Sequence, residues 1–150
     1  MSTSLKKVII LAAPSGAGKT TITKYLLDQF NRLSFSVSAT TRAPRGAEQD
    51  GVEYHFLSLA KFEGLIYDNE FLEYEQVYEG VYYGTLKSEI DRIWALGKVP
   101  VLDIDVKGGI TNIKLVKKTK AFLLFWLLST FAFVVIQISY LLQQPLASSF

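Results

Sequence analysis

The sequence predicts an α/β fold, a phosphate-loop parallel-sheet core with a small β-rich insertion. Three observations carry that prediction. The continuous apolar run Val8–Leu11 stands directly before a glycine-rich loop and an amphipathic helix. A second largely apolar run, Val99–Asp105, follows another helical segment and carries two acidic residues at its C-terminal end. Between the two, the pattern shortens to the period-two alternation and tight turns of hairpins. Runs that are apolar throughout suit strands covered on both faces, as parallel sheets require.

The elements follow in order. Val8–Leu11 is the first strand. After Thr20, Ile22, Leu26 and Phe30 recur at helical spacing, with Tyr25 and Leu27 widening the stripe. Leu33–Ala39 alternates, placing Leu33, Phe35 and Val37 on one face of a predicted strand. The segment 40–46 is a loop punctuated by Pro44 and Gly46. Val52–Phe56 reads as a short strand, and Leu59–Asn69 as a helix with Phe62, Leu65 and Ile66 on one side. Phe71–Tyr78 and Val81–Tyr83 flank Glu79-Gly80 as a hairpin. Leu86, Ile90 and Ile93 mark a helix that Gly97 ends, and Val99–Asp105 returns to a buried strand.

Composition narrows the function classes. The 150 residues suffice for one domain with a core. No cysteine occurs, which excludes disulfides and thiolate metal sites and fits a reducing cytoplasm. A net charge of +2 does not point to nucleic acid as a partner. All 16 Lys/Arg and all 14 Asp/Glu fall within residues 1–120. The expected organisation is therefore a domain over 1–120, with core at 5–35 and 85–120 and the insertion at about 36–84, followed by an uncharged hydrophobic tail, 121–150. Within the tail, 121–142 is long enough to cross a bilayer as a helix, and Lys117, Lys118 and Lys120 on its N-terminal side would keep the domain cytoplasmic. Met1–Lys7 lacks the apolar stretch of a signal peptide, so none is expected.

The glycine-rich loop carries the first chemistry. Ala13-Pro14-Ser15-Gly16-Ala17-Gly18-Lys19-Thr20 is a phosphate-binding loop lacking only its first glycine, where Ala13 stands. Its backbone N–H groups and the following helix dipole form an anion nest suited to a nucleoside triphosphate. Lys19 would place a point charge at the β/γ-phosphates, and the Thr20 hydroxyl would ligate Mg²⁺. Asp103 and Asp105 lie where an apolar strand ends, at the sheet edge where ligands bind in open α/β folds. Asp103, at a position a buried strand would normally fill with an apolar residue, is the acidic metal partner of Thr20. Asp105 also suits a helix N-cap. Arg42 and Arg45 flank Pro44 in a loop; guanidinium pairs clamp phosphate, whereas taken alone they read as solvated surface arginines. Tyr54 and Tyr83 would add phenolic donors, or else simply pack. Glu73 stands in the hairpin and reads by itself as a solvated strand residue. His55, the only histidine, is read as structural.

As a set, these stretches resemble the guanylate kinase family. The resemblance rests on Ala13–Thr21, Phe35–Arg45, Asp50–Phe56, Asn69–Glu73, Tyr82–Thr85 and Val101–Gly108, in order, and covers residues 5 to 118, extending to Phe125 if Ala121–Phe125 serves as the core strand with which the family continues. It implies ATP-dependent phosphorylation of GMP to GDP with Mg²⁺. It places Ala13 through Thr21 at ATP, with Lys19 and Arg42 as the catalytic charges. It makes Arg42, Arg45, Tyr54 and Tyr83 ligands of the GMP phosphate, Ser38, Glu73 and Thr85 readers of guanine, and Asp105 a further GMP contact. The sequence departs from the family after residue 120: no Pro-Pro-Ser segment appears, and no arginine follows Arg92. Lid arginines are expected there, so impaired catalysis is expected. Two other readings stand beside this one. The first is a membrane-anchored nucleotide-binding domain. The second is a non-catalytic interaction module of the same family, against which the intact Gly18-Lys19-Thr20 argues.

Overall fold

A computed structural model describes residues 7–12, 18–104 and 120–125. The elements are β1 (Lys7–Ala12), α1 (Lys19–Gln29), β2 (Leu33–Phe35), β3 (Ala39–Thr40), β4 (His55–Phe56), α2 (Leu59–Tyr67), β5 (Phe71–Tyr78), β6 (Val81–Leu86), α3 (Lys87–Ala95), β7 (Val99–Ile104) and β8 (Lys120–Phe125). They form two four-stranded sheets, ordered β2-β7-β1-β8 and β4-β3-β6-β5. All pairings in the first sheet are parallel.

The first sheet is covered on both faces, which explains why β1 is apolar at every inner position. Ile9 and Leu11 project to one side and pack with Ile22 and Leu26 of α1, together with Leu33 and Val101. Val8 and Ile10 project to the other and pack with Ile90 of α3, Leu72 and Leu102. Successive residues thus serve opposite layers, as the pleat dictates. The Trp94 indole N–H donates to Lys7 O at 2.9 Å and fastens α3 to the sheet. Pro100 sits between two neighbouring strands without breaking the ladder. Pairing with β1 starts only at Val101, one residue beyond the missing proline donor.

The second sheet has its own core. Phe62 of α2 is fully buried and stacks on Phe71 (4.2 Å between centroids) and Tyr82 (5.3 Å). Ser58 caps α2 by accepting from Lys61 N–H. Asn69, at φ 56°, makes the tight exit from that helix, and Gly80, at φ 71°, turns the β5–β6 hairpin.

Several expectations require correction. The strand expected over Leu33–Ala39 is two strands in different sheets. Leu33–Phe35 pairs with β7, and Ala39–Thr40 pairs with β4 and β6. Burial recurs at Leu33, Ser36 and Ala39, so Val37 is not on a common face with Leu33 and Phe35. The expected Val52–Phe56 strand shrinks to His55–Phe56, with Val52 exposed in a turn. Tyr25 is exposed and does not widen the buried stripe of α1. The hydrophobic stretch read as a span beginning at Ala121 starts instead as an extended strand. Lys120–Phe125 pairs in parallel with Lys7–Ala12, the core-strand alternative. Among the described residues no helix is long and apolar enough to cross a membrane. Residues 126–142 of the expected span lie outside the described residues, as do Ala13–Ala17 of the loop and Asp105.

Gly84 makes the hairpin possible. A Cβ there would meet Glu73 O and Tyr74 Cβ, each at 2.8 Å, and neither is a flexible side-chain end. Gly84→Ala should destabilise the chain by about 1–3 kcal/mol, read as a drop in thermal midpoint of several degrees. An unchanged midpoint would show that β5 and β6 can move apart.

Candidate active site

The C-terminal ends of β1 and β7 finish side by side, with Leu11 opposite Asp103 and Ala12 opposite Ile104. The chain leaving β1 re-enters the described structure at Gly18, whose φ of 80° is left-handed. That residue is the N-cap of α1. It contributes no side-chain cap, and no acidic residue stands in the first turn. The first turn of the helix, with its positive dipole end, borders a cleft through Gly18, Lys19, Thr20 and Thr21. Lys19 Nζ lies 3.8 Å from Asp103 Oδ1, with both side chains mostly buried.

Opposite them stands the second sheet, and between the two lies a cleft of about 680 Å³. Its wall includes Gly18, Lys19, Thr20, Thr21 and Asp103 on one side, and Ser38, Tyr54, Glu73 and Tyr83 on the other. A cavity of this size suits a nucleotide-sized ligand. Arg42 stands behind Tyr54 and Tyr83. Arg45 and Thr85 do not form part of the wall, and the Arg45 residue is exposed.

Glu73 is the unusual group. It is only 7% exposed, yet it lines the cleft. Thr85, directly across the β5–β6 ladder, donates from its hydroxyl to Glu73 Oε1 at 2.6 Å. Burial pushes the Glu73 carboxyl above its ordinary value, and the Thr85 hydrogen bonds only partly offset this. It is not the solvated strand residue that its sequence context alone would suggest.

Arg42 is held on several sides. Its guanidinium makes a bidentate pair with Glu48 (2.9 and 3.0 Å), donates from Nε to Tyr83 Oη at 3.1 Å, and donates to Ala43 O at 2.7 Å. It also lies 5.2 Å from the Tyr54 ring centroid and 5.8 Å from that of Phe56. Its side chain is 11% exposed, so it is not a solvated surface arginine. The bonds to Glu48 raise the Arg42 pKa further above its ordinary value and hold Glu48 below the usual carboxylate range.

The loop bearing Arg42 is fastened by two threonines. Thr40 Oγ1 donates to Tyr82 O at 2.9 Å and accepts from Arg42 N–H. Thr41 Oγ1 donates to Gly80 O at 2.7 Å and accepts from Tyr82 N–H. Tyr54 meets Tyr83 edge to face at 5.7 Å, and burial raises the Tyr54 pKa. His55 enters by its backbone, donating to Ser38 O at 2.9 Å, a structural role. Sequence reasoning missed Glu48. The available signal was a single acid three residues after Arg45 in a loop with two arginines.

Glu73 has a consequence for stability. Its folded-state pKa exceeds the unfolded one, so the native state holds that proton more tightly. Stability from this group is present at low pH and is lost as pH rises through the folded pKa. Glu73→Gln should therefore raise the thermal midpoint of the ligand-free chain by a few degrees at neutral pH. The gain should vanish as pH falls below the ordinary value of 4.5. A gain that persists in acid would refute burial of the charge as its cause.

Comparison with known proteins identifies the relatives of this chain. The sequence model of one family, described as guanylate kinase, matches residues 5–134. A guanylate kinase of Bacteroides fragilis is 54% identical over 119 residues, covering 79% of this chain and 58% of that protein. One from Salinibacter ruber is 49% identical over 120 residues, covering 80% and 63% respectively. The chain thus spans about three-fifths of the length of these relatives. Among solved structures, the crystal structure of guanylate kinase from Anaplasma phagocytophilum superposes with a TM-score of 0.61 at 27% identity, covering 82% of this chain and 62% of that one. With its parallel core sheet, its loop-to-helix turn and a family match over most of its length, this chain belongs to the guanylate kinase family.

Proposed function

We propose that the cleft binds GMP against the second sheet and ATP against the α1 N-terminus, for transfer of the ATP terminal phosphoryl group to GMP. The observation that carries this reading is Glu73. A buried carboxylate with one oxygen on Thr85 keeps acceptor capacity for a ligand that presents adjacent N–H donors. Guanine does so at N1–H and N2–H₂, and adenine does not. Leaving Glu73 unpaired against AMP would support discrimination of up to about 10⁴-fold. Ser38, on the same wall, would add a hydroxyl to the base contact.

The remaining groups take roles set by their charge. Tyr54, Tyr83 and Arg42 would receive the GMP phosphate, with Arg45 reaching in from the loop. Lys19 would meet the ATP phosphates, drawn from its position near Asp103. Thr20 and Asp103 line the same cleft with hard oxygen donors, a set that suits Mg²⁺, which keeps waters and phosphate oxygens in its other positions. When bound, that ion supplies charge neutralisation between the phosphates. Lys19 and Arg42 would hold the two phosphates in line, so positioning and electrostatics do most of the work. Asp105 and Ala13–Ala17 keep their proposed ligand roles on the strength of the sequence resemblance. The absence of cysteine suits action in the cytoplasm.

Titration calorimetry with GMP and AMP tests the base assignment. GMP should bind at least about 100-fold tighter, and Glu73→Ala should bring the two together by weakening GMP. Equal affinity in the parent chain would refute it. A coupled assay for GDP and ADP tests the transfer step. Lys19→Met should lower turnover by about 100-fold or more while leaving GMP affinity unchanged. Loss of GMP binding in that variant would place Lys19 at the other nucleotide.

A further inference from the structure

A second buried carboxylate lies outside the cleft. Glu89 of α3 is 6% exposed and does not line the cleft wall. Arg92 donates to both of its oxygens at 2.8 Å. Its second partner is remote in sequence: Val37 N–H donates to Glu89 Oε1 at 3.2 Å. Burial raises the Glu89 pKa, but the Arg92 and Val37 hydrogen bonds outweigh it, and the net shift is downward. His55 adds a smaller electrostatic contribution in the same direction. Glu89 also stands in the first turn of α3, where the helix dipole favours a negative charge.

Val37 occupies the crossing between the two sheets. On one side, Ser36 N–H donates to Val101 O of the core sheet at 2.9 Å. On the other, Ser38 O accepts from His55 N–H, and Ala39 pairs with Gly84 in the second sheet. The Ser36 hydroxyl, almost fully buried, finds no partner among the described residues. Glu89 is therefore the side chain that ties the crossing down. The residue after Val37 is Ser38, on the cleft wall, and four residues beyond Ser38 is Arg42. The helix that carries Glu89 begins directly after β6, which carries Thr85.

We propose that Glu89 is a positioning residue for the mononucleotide side of the cleft. Its carboxylate, anchored by Arg92, grips the Val37 N–H and so fixes Ser38 and the Arg42 loop relative to Glu73 and Thr85. The proposal rests on the GMP reading for the identity of the ligand, while the grip on Val37 stands independently of it.

The test compares the full 150-residue chain with Glu89→Ala, Glu89→Gln and Arg92→Met by amide hydrogen exchange at Val37 and by affinity for GMP and for ATP. Glu89→Ala should speed exchange at Val37 about tenfold, weaken GMP about tenfold and leave ATP within about twofold. Glu89→Gln keeps an acceptor oxygen and should recover part of both losses, and Arg92→Met should fall between parent and Glu89→Ala. Unchanged Val37 exchange in Glu89→Ala would overturn the proposal. So would equal weakening of GMP and ATP, the mark of general destabilisation. If Glu89→Ala does not fold, Arg92→Met decides by the same comparison. If the parent chain fails to bind GMP, the ligand reading falls, and exchange at Val37 alone decides on the grip.

Discussion

Leu11 opposite Asp103 and Ala12 opposite Ile104 fix where the two central strands stop, and the site depends on that register. A parallel ladder makes both strands end on the same edge, so the turn into α1 and the acid of β7 arrive together. A one-residue slip would exchange the residues facing α1 for those facing α3. It would also turn Asp103 away from Lys19. The continuous apolar character of Val8–Leu11 permits burial on either face, so the register is set by shape: Ile9 and Val101 fit under α1, and Ile10 and Leu102 under α3.

The second sheet solves a different problem, holding charge where water is scarce. Arg42 commits most of its donors to Glu48, Tyr83 and a backbone carbonyl before any ligand arrives. Its rotamer freedom is therefore lost on folding, and the guanidinium is held in one orientation. Glu73 represents the opposite choice: burial disfavours its charge, and Thr85 only partly compensates. Such a group weakens the free protein and suits a partner that supplies the missing donors. The two carboxylates, Glu48 satisfied in the loop between β3 and β4 and Glu73 disfavoured on β5, make opposite use of burial.

Much of this was legible in the residues. The helix start after Gly18, the acid at the end of β7 and the hairpin turn at Gly80 each have local signatures that tertiary structure did not override. Sites built across sheets were harder to see. Leu33–Ala39 alternates well enough to read as one strand, yet its period breaks at Ser36, where burial moves from one sheet to the other. Periodicity describes a single surface and carries no sign of a chain changing surfaces. Glu48 was invisible for a related reason: its value lies in a partner six residues away around a loop, a spacing with no regular geometry. The tail misled in part. Ala121–Phe125 is apolar enough for a bilayer or for a buried parallel strand, and hydropathy alone does not separate these.

That strand has a consequence for how the chain folds during synthesis. β1 pairs with β7 on one side and with β8 on the other, and β8 lies at Lys120–Phe125. Until residue 125 has left the ribosome, one edge of the most apolar strand has no neighbour. An exposed apolar edge of this kind invites pairing with other chains. The hairpin domain, built from near neighbours in sequence, can form while the core sheet waits for β8. Slow translation late in the chain would lengthen that wait, and chaperone demand should concentrate in the same interval.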